Sequence, residues 1–189
     1  CCTMWRAERT GPRCIDRKNL IQLIDQIERI GKKGVSLTDA LQNSSRIKVV
    51  ITFDNGAQQF WGFAIPELLK RGMTASIFIS THHIGKTNAW DVEEGRAEFK
   101  LMDESASREL HKLGMEIGGP SSHHIRLGDV EESNAIQELR MSKEILNDLI
   151  QDETQSMAWP YGNVPENSTE LSNSPDGNQG SPFSVQTHT

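Results

Sequence analysis

Four short apolar runs constrain this chain more than any other feature. They are KVVITFD at 48–54, TASIFIS at 74–80, MEIGG at 115–119 and SMAWPYG at 156–162. Each is nearly unbroken rather than alternating. That pattern marks strands buried on both faces, as in a parallel sheet. Helical stretches fall between them. FAIPELLKRGM reads as a short helix with a glycine stop, MDESASRELHKLG as another, and residues 131–150 as a longer one. The longer helix places Ala135, Leu139, Leu146, Leu149 and Ile150 inward. Ahead of the first strand, Leu20, Ile21, Leu23, Ile24, Ile27 and Ile30 recur at helical spacing over 17–30, and Gly31 and Gly34 end that helix. SLTDALQN predicts a short helix capped by Ser36 or Thr38.

Strands alternating with helices imply βαβ units and an α/β fold with a parallel sheet. Right-handed crossovers then bring the strand ends to one side. Asp54, Ser80, residues 120–124 and Tyr161 would meet there, where α/β folds place their chemistry.

The organisation is expected to be threefold: an irregular segment at 1–16, one domain at 17–162, and a disordered tail at 163–189. The tail is rich in Ser, Asn, Pro and Gly and has too few apolar residues to offset its ordering entropy. A net charge of -6 argues against nucleic acid as the main partner. No apolar run approaches the roughly 20 residues that span a bilayer, and the first residues lack a secretory apolar core. Cys1, Cys2 and Cys14 carry no zinc spacing; they read as free thiols on a mobile end, with a Cys2–Cys14 disulfide as the alternative.

Asp54 is the central candidate residue. Asp-Asn-Gly suits a hairpin turn, but the next stretch, AQQFWGFAIPELLKRG, reads as loop and helix rather than a returning strand. Asp54 therefore sits at the C-terminal end of a crossing strand. His82-His83 and His123-His124 come after the second and third strands. Adjacent histidines point in different directions, so only one of a pair is expected to serve a given site. Trp159, Pro160 and Tyr161 close the fourth strand, and Trp61 and Trp90 are either core or a platform for a sugar face.

In this order the residues resemble the polysaccharide deacetylase family, also called NodB-like or carbohydrate esterase family four. ITFDNG is similar to the family motif T-F-D-D-G, MEIGGPSSHH to E-I-G-S-H-x-x-x-H, and MAWPYG to F-x-Y-P-Y-G. The resemblance implies a distorted (β/α) barrel, here incomplete. It also implies hydrolysis of N- or O-acetyl groups on a carbohydrate with a divalent metal, zinc above all. Acetylated polysaccharide or oligosaccharide would be the partner, at the cell envelope or outside the cell. Carried over position by position, Asp54 matches the catalytic base and Tyr161 the oxyanion residue. His124 matches one metal ligand and Asn55 falls at a second. Pro160 and Trp90 would line the substrate groove.

The departures are as informative. Asn55 replaces a carboxylate, Pro120 stands where a ligand histidine belongs, and Ala158 stands where an arginine often orients the base. The later motifs of the family, with their late histidine, have no visible counterpart. One imidazole and one amide fall short of the three protein ligands of a catalytic zinc. Two expectations result: a metal-assisted acetyl hydrolase, weak or inactive in this chain, or a non-catalytic relative that keeps the fold and binds carbohydrate. A phosphatase reading fails because Gly56 occupies the second acid position of D-x-D.

Overall fold

The computed structural model describes residues 16–42, 48–93, 95–166 and, as backbone, 184–186. The three cysteines and their expected pairing lie outside these residues.

The apolar runs form strands that pair only in parallel. They are β1 (Gly34–Val35), β2 (Val49–Val50), β3 (Thr52–Phe53), β4 (Ser76–Phe78), β5 (Glu116–Gly118), β6 (Ser156–Ala158) and β7 (Ser184–Gln186). The expected first strand is divided at Ile51. Its N–H donates to the Val35 carbonyl at 3.0 Å, and its own carbonyl accepts from the Ser76 N–H at 2.9 Å. Ile51 thereby joins β1 to β4 across the break. Phe53 lies opposite Ile77, and Ile77 opposite Ile117. A single parallel bridge, Gly119 to Met157, carries the sheet from β5 to β6. The spatial order is therefore β1, β2/β3, β4, β5, β6, β7. No pairing among the described residues closes β7 back to β1. This is an open, incomplete (β/α) barrel.

Two of these strands depart from expectation. Gly34, a helix stop by sequence, begins β1. A Cβ there would lie 2.3 Å from the Ile51 Cδ1 atom, so only glycine lets the edge strand approach this closely. Ser184–Gln186 pairs with β6 although its surroundings read as a polar tail. Backbone pairing asks little of side-chain composition, and hydropathy does not register it.

The helices form on their apolar faces. In α1 (Arg17–Arg29), Asp16 caps the first turn by accepting from the Asn19 N–H at 2.7 Å, and Leu20, Ile24 and Ile27 are buried. Ile30, expected on the inner face, lies just past the helix and is 64% exposed. In α2 (Leu37–Gln42), the Ser36 hydroxyl accepts from the Asp39 N–H at 3.3 Å, so Ser36 is the cap. The Thr38 hydroxyl instead hydrogen-bonds to Glu116 at 2.5 Å.

Helix α3 (Gln59–Lys70) starts four residues before the predicted stretch. Phe60 is fully buried with its ring 4.7 Å from that of Phe53. Burying such a ring contributes about 2–3 kcal/mol, enough to draw the preceding loop into helix. A short helix, α4 (Ala89–Glu93), lies where a loop was expected. Helices α5 (Glu104–Lys112) and α6 (Glu132–Ile150) fall as predicted, and all five inward residues of α6 are buried. The main core packs α1, α3, α5 and α6 against β2–β5, and a smaller cluster gathers Leu127, Ala135, Leu139, Met157 and Trp159.

Candidate functional site

The ends of β3, β5 and β6 carry the motif residues. Asp54 comes directly after Phe53 and is half-buried. The next two residues, Asn55 (φ 66°) and Gly56 (φ 63°), both adopt the left-handed region. This is the backbone of an Asn-Gly turn, but the chain leaves it for α3 rather than for a hairpin partner. Asparagine tolerates positive φ better than most residues, so Asn55 fits its backbone whatever its role.

After β5 the chain runs through Pro120, which is buried, into Ser121-Ser122-His123-His124. The serines build the loop. The Ser122 carbonyl accepts from the Ser80 hydroxyl at 2.9 Å and from the His82 N–H at 3.0 Å. The Ser121 hydroxyl accepts from the His124 N–H at 3.0 Å. His124 (φ 58°) and, after β6, Tyr161 (φ 60°) are also left-handed. Of the four non-glycine residues with positive φ among those described, three are Asn55, His124 and Tyr161. Strained backbone of this sort clusters at functional sites.

The two histidines of the pair diverge, as expected for neighbours. The His123 Nδ1 lies 2.6 Å from the Glu138 Oε1, and its ring lies 4.2 Å from that of His82. His124 turns the other way. Its ring stacks on the Trp90 indole at 4.5 Å and 20°, and meets Tyr161 edge-on at 4.9 Å. The guanidinium of Arg126 lies over the Tyr161 ring at 4.2 Å, within cation–π range. His83 meets the Trp90 ring edge at 4.7 Å.

His124 is 7% exposed, and burial pushes its imidazole down to about 4, against the opposing pull of the Asp91 and Asp54 carboxylates. It is neutral near pH 7. Both carboxylates thus lie close enough for their charges to act on this ring. Burial, then the nearby His82 and Lys86 charges, also lowers His83. The Nδ1 of His124 and the Nε1 of Trp90 are buried without a hydrogen-bond partner within the protein.

The structure thus brings Trp90, His124 and Tyr161 into ring contact, with Asp54 within reach of His124 by charge, Asn55 next to Asp54 in the chain, and Pro160 buried at the start of the Tyr161 turn. Trp90 is 8% exposed; it forms a wall behind His124 rather than an open platform. Sequence reading missed Asp91. Nothing local in the sequence singles it out, because its partners Asn88 and Arg96 are brought to it by the fold of the segment.

The donor set does not suit a metal. Among the described residues no three His, Cys, Asp or Glu side chains converge as ligands. Pro120 offers no side-chain donor, and the Asn55 amide is a weak substitute for a carboxylate.

This fold and constellation define a class, and the comparisons agree: the polysaccharide deacetylase family model matches residues 42–176, so the chain belongs to that family. Members of that family are generally metal-dependent. The polysaccharide deacetylase-type protein YxkH of Bacillus subtilis (strain 168) is 25% identical over 118 residues, which cover 62% of this chain and 38% of YxkH. Among solved structures, IcaB from Ammonifex degensii matches with a TM-score of 0.76 and 20% identity, over 90% of this chain and 78% of that one. The Streptococcus pyogenes deacetylase PplD, in complex with acetate, matches at 0.72 and 21%, over 89% and 76%. At these identities the structural likeness establishes the fold.

Proposed function

We propose that this chain binds an acetylated polysaccharide or oligosaccharide in the cleft between Asp54, His124 and Tyr161, and hydrolyses its acetyl groups weakly or not at all. The cell envelope or the cell exterior is where such a substrate lies. The observation that carries this reading is the ligand set: His124 keeps its imidazole, while Asn55 and Pro120 stand at the other ligand positions and, among the described residues, no third donor converges. Zinc is the ion the family resemblance implies, and these residues do not fit it.

The remaining parts support binding. Asp54 can accept a hydrogen bond from a sugar hydroxyl or amide. The Trp90–His124 stack offers an apolar wall for an acetyl methyl. Tyr161 matches the family's oxyanion residue, and the neighbouring Gly162 and Asn163 N–H groups donate to the Trp159 and Pro160 carbonyls at 3.0 Å, fixing its turn. Asp54 is placed as the base of the family reaction, but a carboxylate acting on ordinary water is a poor catalyst of amide cleavage.

Calorimetry with N-acetylated chitooligosaccharide and an acetate-release assay with added zinc test this together. Binding with no acetate above background is the expected result. Acetate release that depends on Asp54 and His124 would overturn the non-hydrolysing reading, and absence of binding to any acetylated saccharide would overturn the ligand assignment.

A further inference from the structure

The segment between β4 and α5 is pinned by backbone pairing to itself and to the turn after β3. Antiparallel bridges join Thr87 to Lys100 and Ala57 to Leu101. The Gln58 N–H donates to the Lys100 carbonyl at 3.0 Å, and the Met102 N–H to the Gly56 carbonyl at 2.9 Å. The loop is thus stitched to the turn that carries Asp54 and Asn55.

Within it, Asn88 is fully buried. Its side-chain amide donates to the Ala97 carbonyl and to the Asp91 Oδ2, both at 3.1 Å, and its Oδ1 accepts from the Phe99 N–H at 2.7 Å. The other oxygen of Asp91 accepts from the Arg96 Nη1 at 2.6 Å. Asp91 is itself 8% exposed. A buried carboxylate held by two donors on one short segment is a fixed point. The residue before it is Trp90, whose ring lies against His124.

We propose that Asp91 is a positioning residue: clasped by Asn88 and Arg96, it holds Trp90 flat against His124 and so sets the shape of the ligand cleft. The inference rests on the cleft being the saccharide site, and it adds the element that determines its geometry. The clasp acts on His124 through the indole. Asp91 also brings a second carboxylate charge to bear on that ring, from a segment remote from Asp54 in sequence.

The test uses Asp91→Asn, Arg96→Met and Arg96→Lys in the full chain. Arg96 is 46% exposed on its side chain, so its replacement opens no buried cavity. Two readouts are taken: the carbon-bound proton shifts of the His124 ring by NMR, which report the ring current of the stacked indole, and the affinity for N-acetylated chitooligosaccharide. The expected result is that Asp91→Asn and Arg96→Met move the His124 ring resonances toward unstacked values and weaken binding ~10-fold, while Arg96→Lys restores both. Unchanged resonances in Arg96→Met would overturn the proposal, whatever happens to Asp91→Asn. Shifted resonances in a protein that binds no saccharide would uphold the clasp and remove the ligand reading of the cleft.

Discussion

At the scale of single residues, the metal question turns on two positions. Asn55 supplies an amide where the family has a carboxylate, and Pro120 supplies nothing. Replacing both, Asn55→Asp with Pro120→His, is expected to convert a protein without useful zinc affinity at neutral pH into one that binds one zinc ion per chain by calorimetry. Asp tolerates the positive φ at position 55 nearly as well as Asn, so the backbone should accept the change. A folded double variant that takes up no zinc would show that the ligand positions are mapped wrongly.

His124 makes a second residue-scale prediction. Its folded value near 4 lies below the ordinary 6.5, so between those two pH values the unfolded chain binds more protons than the folded one. The stabilisation from this group is fully present above about pH 6.5 and is lost as pH falls toward 4. Urea midpoints measured across that window should rise with pH. In His124→Asn, which suits the φ of 58°, the rise should flatten. An unchanged slope would place the titration elsewhere.

At the scale of elements, α1 is tied to α3 by charge as well as by apolar packing. Arg71 reaches Asp25 at 3.0 Å, Glu28 at 3.3 Å and Glu67 at 2.8 Å, and Arg17 and Lys70 also reach Glu67. The Arg71 guanidinium holds the Glu67 carboxyl down at about 2, against the smaller opposing effect of burial. Because that value is depressed, the contribution is present above the ordinary carboxylate value of 4.5 and is lost as pH falls toward 2. Arg71→Met should loosen the docking of α1, and amide exchange in Leu20–Ile27 should speed up by roughly 5-fold at neutral pH. Exchange in α6 should not change, since these ion pairs join α1 to α3 alone.

The elements also show where sequence reading is strong. Helices α1 and α6 were legible because each repeats an apolar stripe over several turns, and α5 because Asp103 caps a short run of helix formers. Helix α4 was not, because five residues are too few for a period to emerge, and its reason for being helical is the clasp around Asn88. At Asp54 the sequence argues against a hairpin, and the chain does cross over into α3. Yet the turn has the left-handed pair of a hairpin, and only the helix after it tells the two apart.

For the whole molecule, the open sheet has consequences at both ends. Ser156 and Ala158 direct their backbone groups to Gly119 of the β5 side. In a parallel ladder the residue between them faces the opposite neighbour, so the Met157 amide is turned to β7. Removing residues 167–189 should raise hydrogen exchange at Met157 by ~10-fold or more and leave Ala158 nearly unchanged. Equal protection of Met157 in the shortened chain would show that β7 does not cover this edge. The truncated form would also expose a bare parallel edge, which invites association, and sedimentation would register it as self-assembly.

The sequence by itself determined the class of fold and the order of the motif residues. Long apolar runs and amphipathic stripes are local patterns, and the identity of Asp54, Asn55, Pro120, His124 and Tyr161 can be read directly. It also shows which ligand positions depart from the family motif, since the side chain of Pro120 has no donor atom in any conformation. Only the tertiary structure decided that His124 would be buried between Trp90 and Tyr161, that Asp91 would stand near it, and that Gly34 and Ser184–Gln186 would join the sheet. Those are contacts between segments far apart in the chain. Their energies come from packing and pairing that no single segment contains.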